Sequence, residues 1–223
     1  MVFRFLWSRG GGALTAVEDK VQHMLRNDRA EVELAMSALL GDVVEADVSA
    51  ELRSMDQVVN RLEREIRREL VVHASVAGSL ETPAVLVYMS IVKDIERIGD
   101  YAKNILDLAK YGANLGTLAN AAEWRQLTQT ISDYITDTAA AFETRNEGRA
   151  RELLTHGGAL LGKLERGVGA LVGGQAEGGD AVARALALRY LKRVVAHLMN
   201  VLSAIVMPVD RLDYFDEDPE DRV

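Results

Sequence analysis

Prolines are few in this chain, and their positions constrain its fold more than any other feature. The 223 residues contain three prolines, Pro83, Pro208 and Pro219. Each stands where a helix is expected to begin or end, because proline has no amide hydrogen to donate inside a helix. Between these positions, apolar residues recur at helical spacing. We predict six helices, at residues 15–40, 43–73, 82–111, 120–145, 147–172 and 180–207.

The predicted third helix carries the apolar stripe of a helix that packs on its neighbours. Its apolar or narrow residues recur at alternating spacings of three and four. They are Val85, Tyr88, Val92, Ile95, Gly99, Ala102, Leu106 and Ala109. With short connections between the helices, this pattern favours helix-on-helix packing and an all-α fold, as one elongated bundle or as two three-helix units.

An internal repeat favours two units. Segments 96–105 and 192–201 carry arginine, aliphatic and asparagine residues at the same offsets. The distance between them, about 96 residues, indicates a duplication and not an array of short repeats. We therefore predict two tandem three-helix bundles. The predicted organisation is an N-terminal segment with a glycine hinge (1–12), a first unit (13–113), a second unit (114–208) and an acidic tail (209–223).

Charge and composition exclude several classes of function. The 34 acidic residues outnumber the 26 basic ones, and the formal charge of −8 gives no electrostatic reason to bind nucleic acid or an anionic membrane. There is no cysteine, which excludes thiolate nucleophiles and cysteine metal sites. No apolar run reaches the roughly 20 residues of a bilayer span. We expect a cytoplasmic protein that favours cations or basic partner surfaces.

Two pairs of polar residues stand four positions apart in the predicted second and third helices. Asp56 and Asn60 share one helix face, and Glu96 and Asp100 share another. If the two helices pack antiparallel, the pairs converge, and Glu63 lies about one turn beyond Asn60. Carboxylates with an amide suit a hard or borderline divalent cation such as Mg²⁺, Mn²⁺, Ca²⁺ or Fe²⁺, and suit Zn²⁺ less well without histidine.

The same acids have a simpler interpretation, in which they form ordinary salt bridges on helix surfaces. Asp100 can pair with Lys103, and Glu63 with Arg67, at about 0.2–0.5 kcal/mol per pair. Arg97 is interpreted in the same way, as a residue that pairs within its helix or between subunits. Its alternative role is a contact with phosphate.

The second unit lacks the acids of the first. Lys192 and Ala196 stand where the repeat would place the two acids of the third helix, and Gly158 and Gly162 stand at the matching positions of the fifth helix. A lysine inside a cation site is electrostatically unfavourable, so we expect no second metal site. The histidines form no pair at helical spacing, and each is expected at a surface or a helix end. They are His23, His73, His156 and His197.

Two segments of the first unit resemble a known family. Residues 96–105, Glu-Arg-Ile-Gly-Asp-Tyr-Ala-Lys-Asn-Ile, resemble the signature of the PhoU family of phosphate-signalling proteins. Residues 56–63, Asp-Gln-Val-Val-Asn-Arg-Leu-Glu, are similar to the second-helix motif of that family. The resemblance covers essentially the whole chain as two tandem units. It implies an all-helical, commonly dimeric, cytoplasmic protein. Some members bind multinuclear iron or zinc clusters through pairs of acidic motifs, which implies a divalent, iron or zinc ion at the predicted pairs.

The resemblance also implies what the protein does. It implies a non-enzymatic, negative regulator of phosphate uptake that contacts the ATPase subunit of a phosphate ABC transporter, a membrane sensor histidine kinase, or both, and that reaches the membrane only through these partners. Candidate partner-binding residues are Arg97 and three apolar residues of the acidic tail, Leu212, Tyr214 and Phe215. Two alternatives stay open. One is an accessory regulator of a sodium–phosphate or other ion transporter, and the other is a metal-dependent enzyme whose carboxylates surround an activated water.

Overall fold

Six long helices make up most of the described chain. The computed structural model describes residues 12–77, 81–174, 180–208 and Leu212. A short 3-10 helix, Leu115–Thr117, precedes the fourth long helix, and the described residues contain no strand, which confirms the all-α prediction. Among these residues, no helix combines the length and apolar character needed to span a membrane. The helices are α1 (Gly12–Leu39), α2 (Glu45–Ala77), α3 (Thr82–Lys110), α4 (Ala121–Thr144), α5 (Glu147–Val172) and α6 (Ala181–Val206).

The helix ends follow local chemistry. Proline stands in the first turn of α3, as predicted, and α6 ends shortly before Pro208. The connection between α4 and α5 is very short. Arg145 takes a left-handed conformation with φ of 51°, and the Asn146 side chain accepts a hydrogen bond from the Arg149 amide at 3.0 Å. This side-chain bond satisfies an amide that would otherwise have no partner in the first turn of α5.

The helices pack as two groups that share one core. In the first group α1 packs on α2 and α3, and α2 packs on α3. In the second group α5 packs on α6 and α4. The groups meet where α3 contacts α6 and where α1 contacts α4. Buried apolar side chains from all six helices form one continuous cluster. The division into a first unit and a second unit after residue 113 stays a prediction.

Two glycines permit close approaches that fix this packing. A Cβ on Gly116, in the 3-10 helix, would overlap the carbonyl group of Leu40. A Cβ on Gly157 of α5 would lie 2.7 Å from Met199 Sδ on α6 and would also clash with the Tyr134 hydroxyl on α4. A side chain on Gly116 would therefore force the backbones apart, and one on Gly157 would displace the Tyr134 and Met199 side chains.

Candidate functional site

The predicted polar pairs lie on neighbouring faces of α2 and α3, and a lysine joins them. Lys103 Nζ lies 2.7 Å from Asp56 Oδ1 on α2 and 2.9 Å from Asp100 Oδ1 on α3. Asn60 Nδ2 donates a hydrogen bond of 3.0 Å to Asp56 Oδ2. The structure thus brings three of the predicted ligands together, with an ammonium group between two of their carboxylates.

The salt-bridge interpretation of the outer acids is confirmed. Glu63 pairs with Arg67 at 2.9 Å, and Asp100 pairs with Lys103 as already described. Arg97 pairs within its own helix, because its guanidinium group lies 3.5 Å from Asp100 Oδ2. These groups are partly exposed, so each pair contributes between about 0 and 1 kcal/mol to stability.

Two acids of α1, which the sequence analysis missed, lie beneath the predicted pairs. Asp28 and Glu31 are both 0% exposed. None of their four carboxylate oxygens has a hydrogen-bond partner. A Cβ on Gly99 of α3 would lie 3.0 Å from Glu31 Oε2 and 3.4 Å from Asp28 Oδ1, so both carboxylates come close to the α3 backbone. Buried carboxylates without partners are costly, and here they adjoin further acids.

The sequence did contain a signal for the buried position of Asp28. In α1 the residues Val21, Leu25, Asp28, Val32 and Ala35 follow one another at spacings of four, three, four and three. Four of them are buried apolar residues, and the fifth is an acid. An acid inside an apolar stripe is expected to be buried with the stripe.

Burial and neighbouring charge hold Glu31 in its protonated form over an unusual pH range. Burial raises the pKa of Glu31 to about 8, and the Asp56 carboxylate adds to this increase. The Lys103 ammonium group opposes it, while Asp100 raises the pKa further. Glu31 therefore exchanges its proton near neutral pH.

The two remaining acids of this region show the same behaviour. Burial raises the pKa of Asp28 well above its ordinary value. The negative charges of Glu31, Glu96 and Asp56 raise it further. Burial also raises the pKa of Glu96, and the nearby carboxylates of Asp100 and Glu63 add to this increase. One Glu96 oxygen, Oε2, is buried and has no hydrogen-bond partner. We call the five acids Asp28, Glu31, Asp56, Glu96 and Asp100 the acidic cluster.

The acidic cluster has the negative charge that a cation needs, but its side chains are not arranged around a common metal position. The unpartnered oxygens of Asp28, Glu31 and Glu96 are hard donors of the kind that divalent ions prefer. However, across residues 12–77, 81–174 and 180–208, no three acidic or histidine side chains are grouped so that they would hold a metal ion. Lys103 already stands between two of the acids. The metal assignment to Asp56, Asn60, Glu96, Asp100 and Glu63 stays a prediction.

A second buried polar group joins α3 to α6. His197 Nδ1 lies 2.8 Å from Asp94 Oδ1, and Asn200 Nδ2 donates to the same oxygen at 2.9 Å. His197 is 5% exposed and Asp94 is 7% exposed, so the prediction that every histidine lies at a surface or a helix end is wrong for His197. The hydrogen bond to the Asp94 carboxylate offsets the cost of burying this imidazole.

Arginine and tyrosine complete this connection between the helices. Arg193 Nε donates to the Tyr101 hydroxyl at 3.1 Å, and the His197 ring stacks on the Tyr101 ring with centroids 5.7 Å apart. An Arg193 nitrogen lies 3.4 Å from His197 Nε2, which places the ring proton on Nδ1, facing Asp94. The two repeat segments thus supply residues that join the two groups of helices.

The remaining predicted positions have simple environments or lie outside the described residues. Lys192 pairs with Glu165 on α5, and Ala196 is buried. Leu212 is half-buried against the core. Tyr214, Phe215 and the N-terminal segment before Gly12 lie outside the described residues.

The helix order and the acidic face on α2 and α3 define an all-α protein of six helices in two tandem groups of three. Two crystal structures share this fold. PhoU from Pseudomonas aeruginosa superposes with a TM-score of 0.76 at 20% identity, covering 90% of this chain and 98% of that one. The phosphate transport system regulatory protein PhoU from Streptococcus pneumoniae superposes with a TM-score of 0.70 at 16% identity, covering 95% of this chain and 99% of that one. At these identities the two comparisons establish the fold.

Two sequence comparisons point to one family over part of the chain. Residues 21–109 match the model of the PhoU domain. The chain is 34% identical over 67 residues to the phosphate-specific transport system accessory protein PhoU homolog 1 of Thermotoga maritima. That alignment spans 30% of this chain and 28% of the relative, little more than a quarter of its length. Residues 21–109 are therefore similar to the PhoU domain, and the resemblance to the PhoU family is confirmed over this part of the chain.

Proposed function

We propose that this protein is a non-enzymatic accessory regulator of phosphate transport. The match of residues 21–109 to the model of the PhoU domain is the observation that carries the proposal. The whole-chain similarity of fold to two PhoU crystal structures supports it, since the fold extends beyond the matched domain. The relatives are named as an accessory protein and as a regulatory protein of phosphate transport.

Regulation would act through contacts with other proteins in the cytoplasm. The partners we propose are the ATPase subunit of a phosphate ABC transporter and a membrane sensor histidine kinase, with the chain itself acting as a homodimer. Arg97 is a suitable contact because its side chain is 46% exposed and it pairs with Asp100 of the same helix. An arginine at such a position can exchange an intrahelical pair for a partner's carboxylate at little cost.

We also propose that the acidic cluster is the place where a divalent, iron or zinc ion binds when one is present. Such an ion would supply positive charge that links α1, α2 and α3, which is a structural or sensing role. Its support is the excess of carboxylates and their unpartnered oxygens. The residues available to it are Asp28, Glu31, Asp56, Asn60, Glu63, Glu96 and Asp100.

A direct binding measurement tests the regulatory proposal. The purified chain is immobilised, and the phosphate-transporter ATPase subunit encoded in the same genome is titrated over it, with a sodium–phosphate cotransporter in detergent as the competing candidate. We expect saturable binding of the ATPase subunit, weakened by Arg97→Glu and unchanged by Arg64→Glu, which alters an exposed arginine on α2. Binding of the cotransporter alone would favour the alternative, and binding of neither, nor of the kinase, would contradict the proposal.

A further inference from the structure

We propose that Lys103 is an internal cation that competes with a divalent metal ion for the acidic cluster. Metal binding by this chain then requires the displacement of one lysine side chain. The inference rests on the proposed metal role of the cluster, and it adds the residue that controls that role. It does not depend on which transporter or kinase is the partner.

The position of Lys103 is that of a bridging cation. Its Nζ contacts carboxylates from two different helices, Asp56 at 2.7 Å and Asp100 at 2.9 Å. Burial lowers the pKa of Lys103, but its hydrogen bonds with these carboxylates outweigh burial, and its pKa lies above the ordinary value. The lysine is therefore charged at every physiological pH, and it neutralises the outer part of the cluster.

One ammonium group does not satisfy the inner part of the cluster. The carboxylates of Asp28 and Glu31 are fully buried, and all their oxygens are without hydrogen-bond partners. Glu96 contributes one more buried oxygen without a partner. Each such group must keep a proton or receive a cation, because an unpaired buried charge is strongly unfavourable. The carboxylates of Asp28, Glu31 and Glu96 thus offer oxygen atoms that could bind a metal ion and that Lys103 does not contact.

A divalent ion and the lysine cannot share this space. An ion held by Glu31 and its neighbours would lie close to the Lys103 ammonium group, and like charges at such distances repel strongly in a partly buried site. Lys103 has room to leave, since 34% of its side chain is exposed and its stem is long and flexible. This competition explains why the described side chains are not grouped around a metal position although carboxylates are abundant.

Manganese titration of the full chain tests the competition. The protein is stripped with EDTA, and Mn²⁺ binding is measured by electron paramagnetic resonance for the wild type, Lys103→Met, and Lys103→Gln. Lys110→Met is the matched control, because Lys110 pairs with Asp107 on the same helix at 2.7 Å, away from the cluster. Circular dichroism checks that each variant is folded.

We expect Lys103→Met and Lys103→Gln to bind one Mn²⁺ at least about tenfold more tightly than the wild type, and Lys110→Met to match the wild type. Adding Asp28→Asn and Glu31→Gln to Lys103→Met should abolish the gain. In the wild type, saturating Mn²⁺ should increase chemical acetylation of Lys103 relative to Lys110. Equal affinities with and without Lys103, including no binding in either, would overturn the proposal, and so would a gain that survives loss of both inner acids.

Discussion

Replacement of Asp94 by alanine should destabilise the protein by about 3–5 kcal/mol, because two buried hydrogen bonds to its carboxylate are lost. The magnitude follows from the bonds that are lost. Asp94 Oδ1 accepts from His197 Nδ1 at 2.8 Å and from Asn200 Nδ2 at 2.9 Å. Both donors are buried, and a hydrogen bond to a charged group contributes about 1.5–3 kcal/mol. The two α6 donors would be left without a partner inside the α3–α6 interface.

Urea unfolding followed by circular dichroism measures the effect. Asp107→Ala is the matched control, because Asp107 lies on the same helix and pairs with Lys110 at 2.7 Å, but its side chain is 46% exposed. We expect the control to lose less than about 1 kcal/mol. A double-mutant cycle with His197→Ala should give a coupling energy of about 1–3 kcal/mol between Asp94 and His197.

The result that would refute this reasoning is a loss for Asp94→Ala no larger than that of the Asp107→Ala control, with no coupling to His197. Such a result would mean that the buried carboxylate does not link α3 to α6. A separate melting transition for each group in Asp94→Ala would instead support the predicted division into two units.

Three further predictions concern glycines and the buried acids. Gly157→Ala should lower the melting temperature because its Cβ would clash with Tyr134, whereas Gly158→Ala, where a Cβ meets nothing within 4 Å, should stabilise by about 0.5–1 kcal/mol. Gly116→Ala should lower the melting temperature as well, because its Cβ would overlap a backbone carbonyl just after α1; an unchanged melting temperature in either destabilising case would contradict the packing described. In EDTA-treated protein the free energy of unfolding should fall as pH rises from 4.5 to about 8, because Glu31 binds its proton more tightly when folded. Urea titrations at several pH values should show that the free energy of unfolding falls less steeply with pH in Glu31→Gln than in the wild type. An equal dependence on pH in the two proteins would contradict the raised pKa of Glu31.

The helices were predictable because their ends carry local signals. The fifth predicted helix, 147–172, agrees with Glu147–Val172, where the preceding asparagine supplies a side-chain cap. The second was predicted to end at residue 73 but continues to Ala77. Val72 and Val76 in that last turn are 59% and 82% exposed, so the apolar periodicity used for prediction no longer marks a buried face there.

The site was only partly predictable, because spacing reports neighbours within a helix and not between helices. Spacing placed Glu96 and Asp100 correctly on one face, and it identified Lys103 as a salt-bridge partner. It did not show which face of α1 meets α3, so Asp28 and Glu31 were missed. The partner of His197 is 103 residues away in sequence, a separation at which no helical spacing gives information.

Phosphate uptake in cells that lack this gene tests the proposed function most directly. The measurement is the initial rate of radiolabelled phosphate uptake during growth in phosphate-rich medium, with the wild-type gene restored as the control. For a negative regulator we expect uptake to be higher in the deletion strain and to return to the wild-type rate on complementation. An uptake rate that is the same with and without the gene would contradict the proposal that this protein regulates phosphate transport.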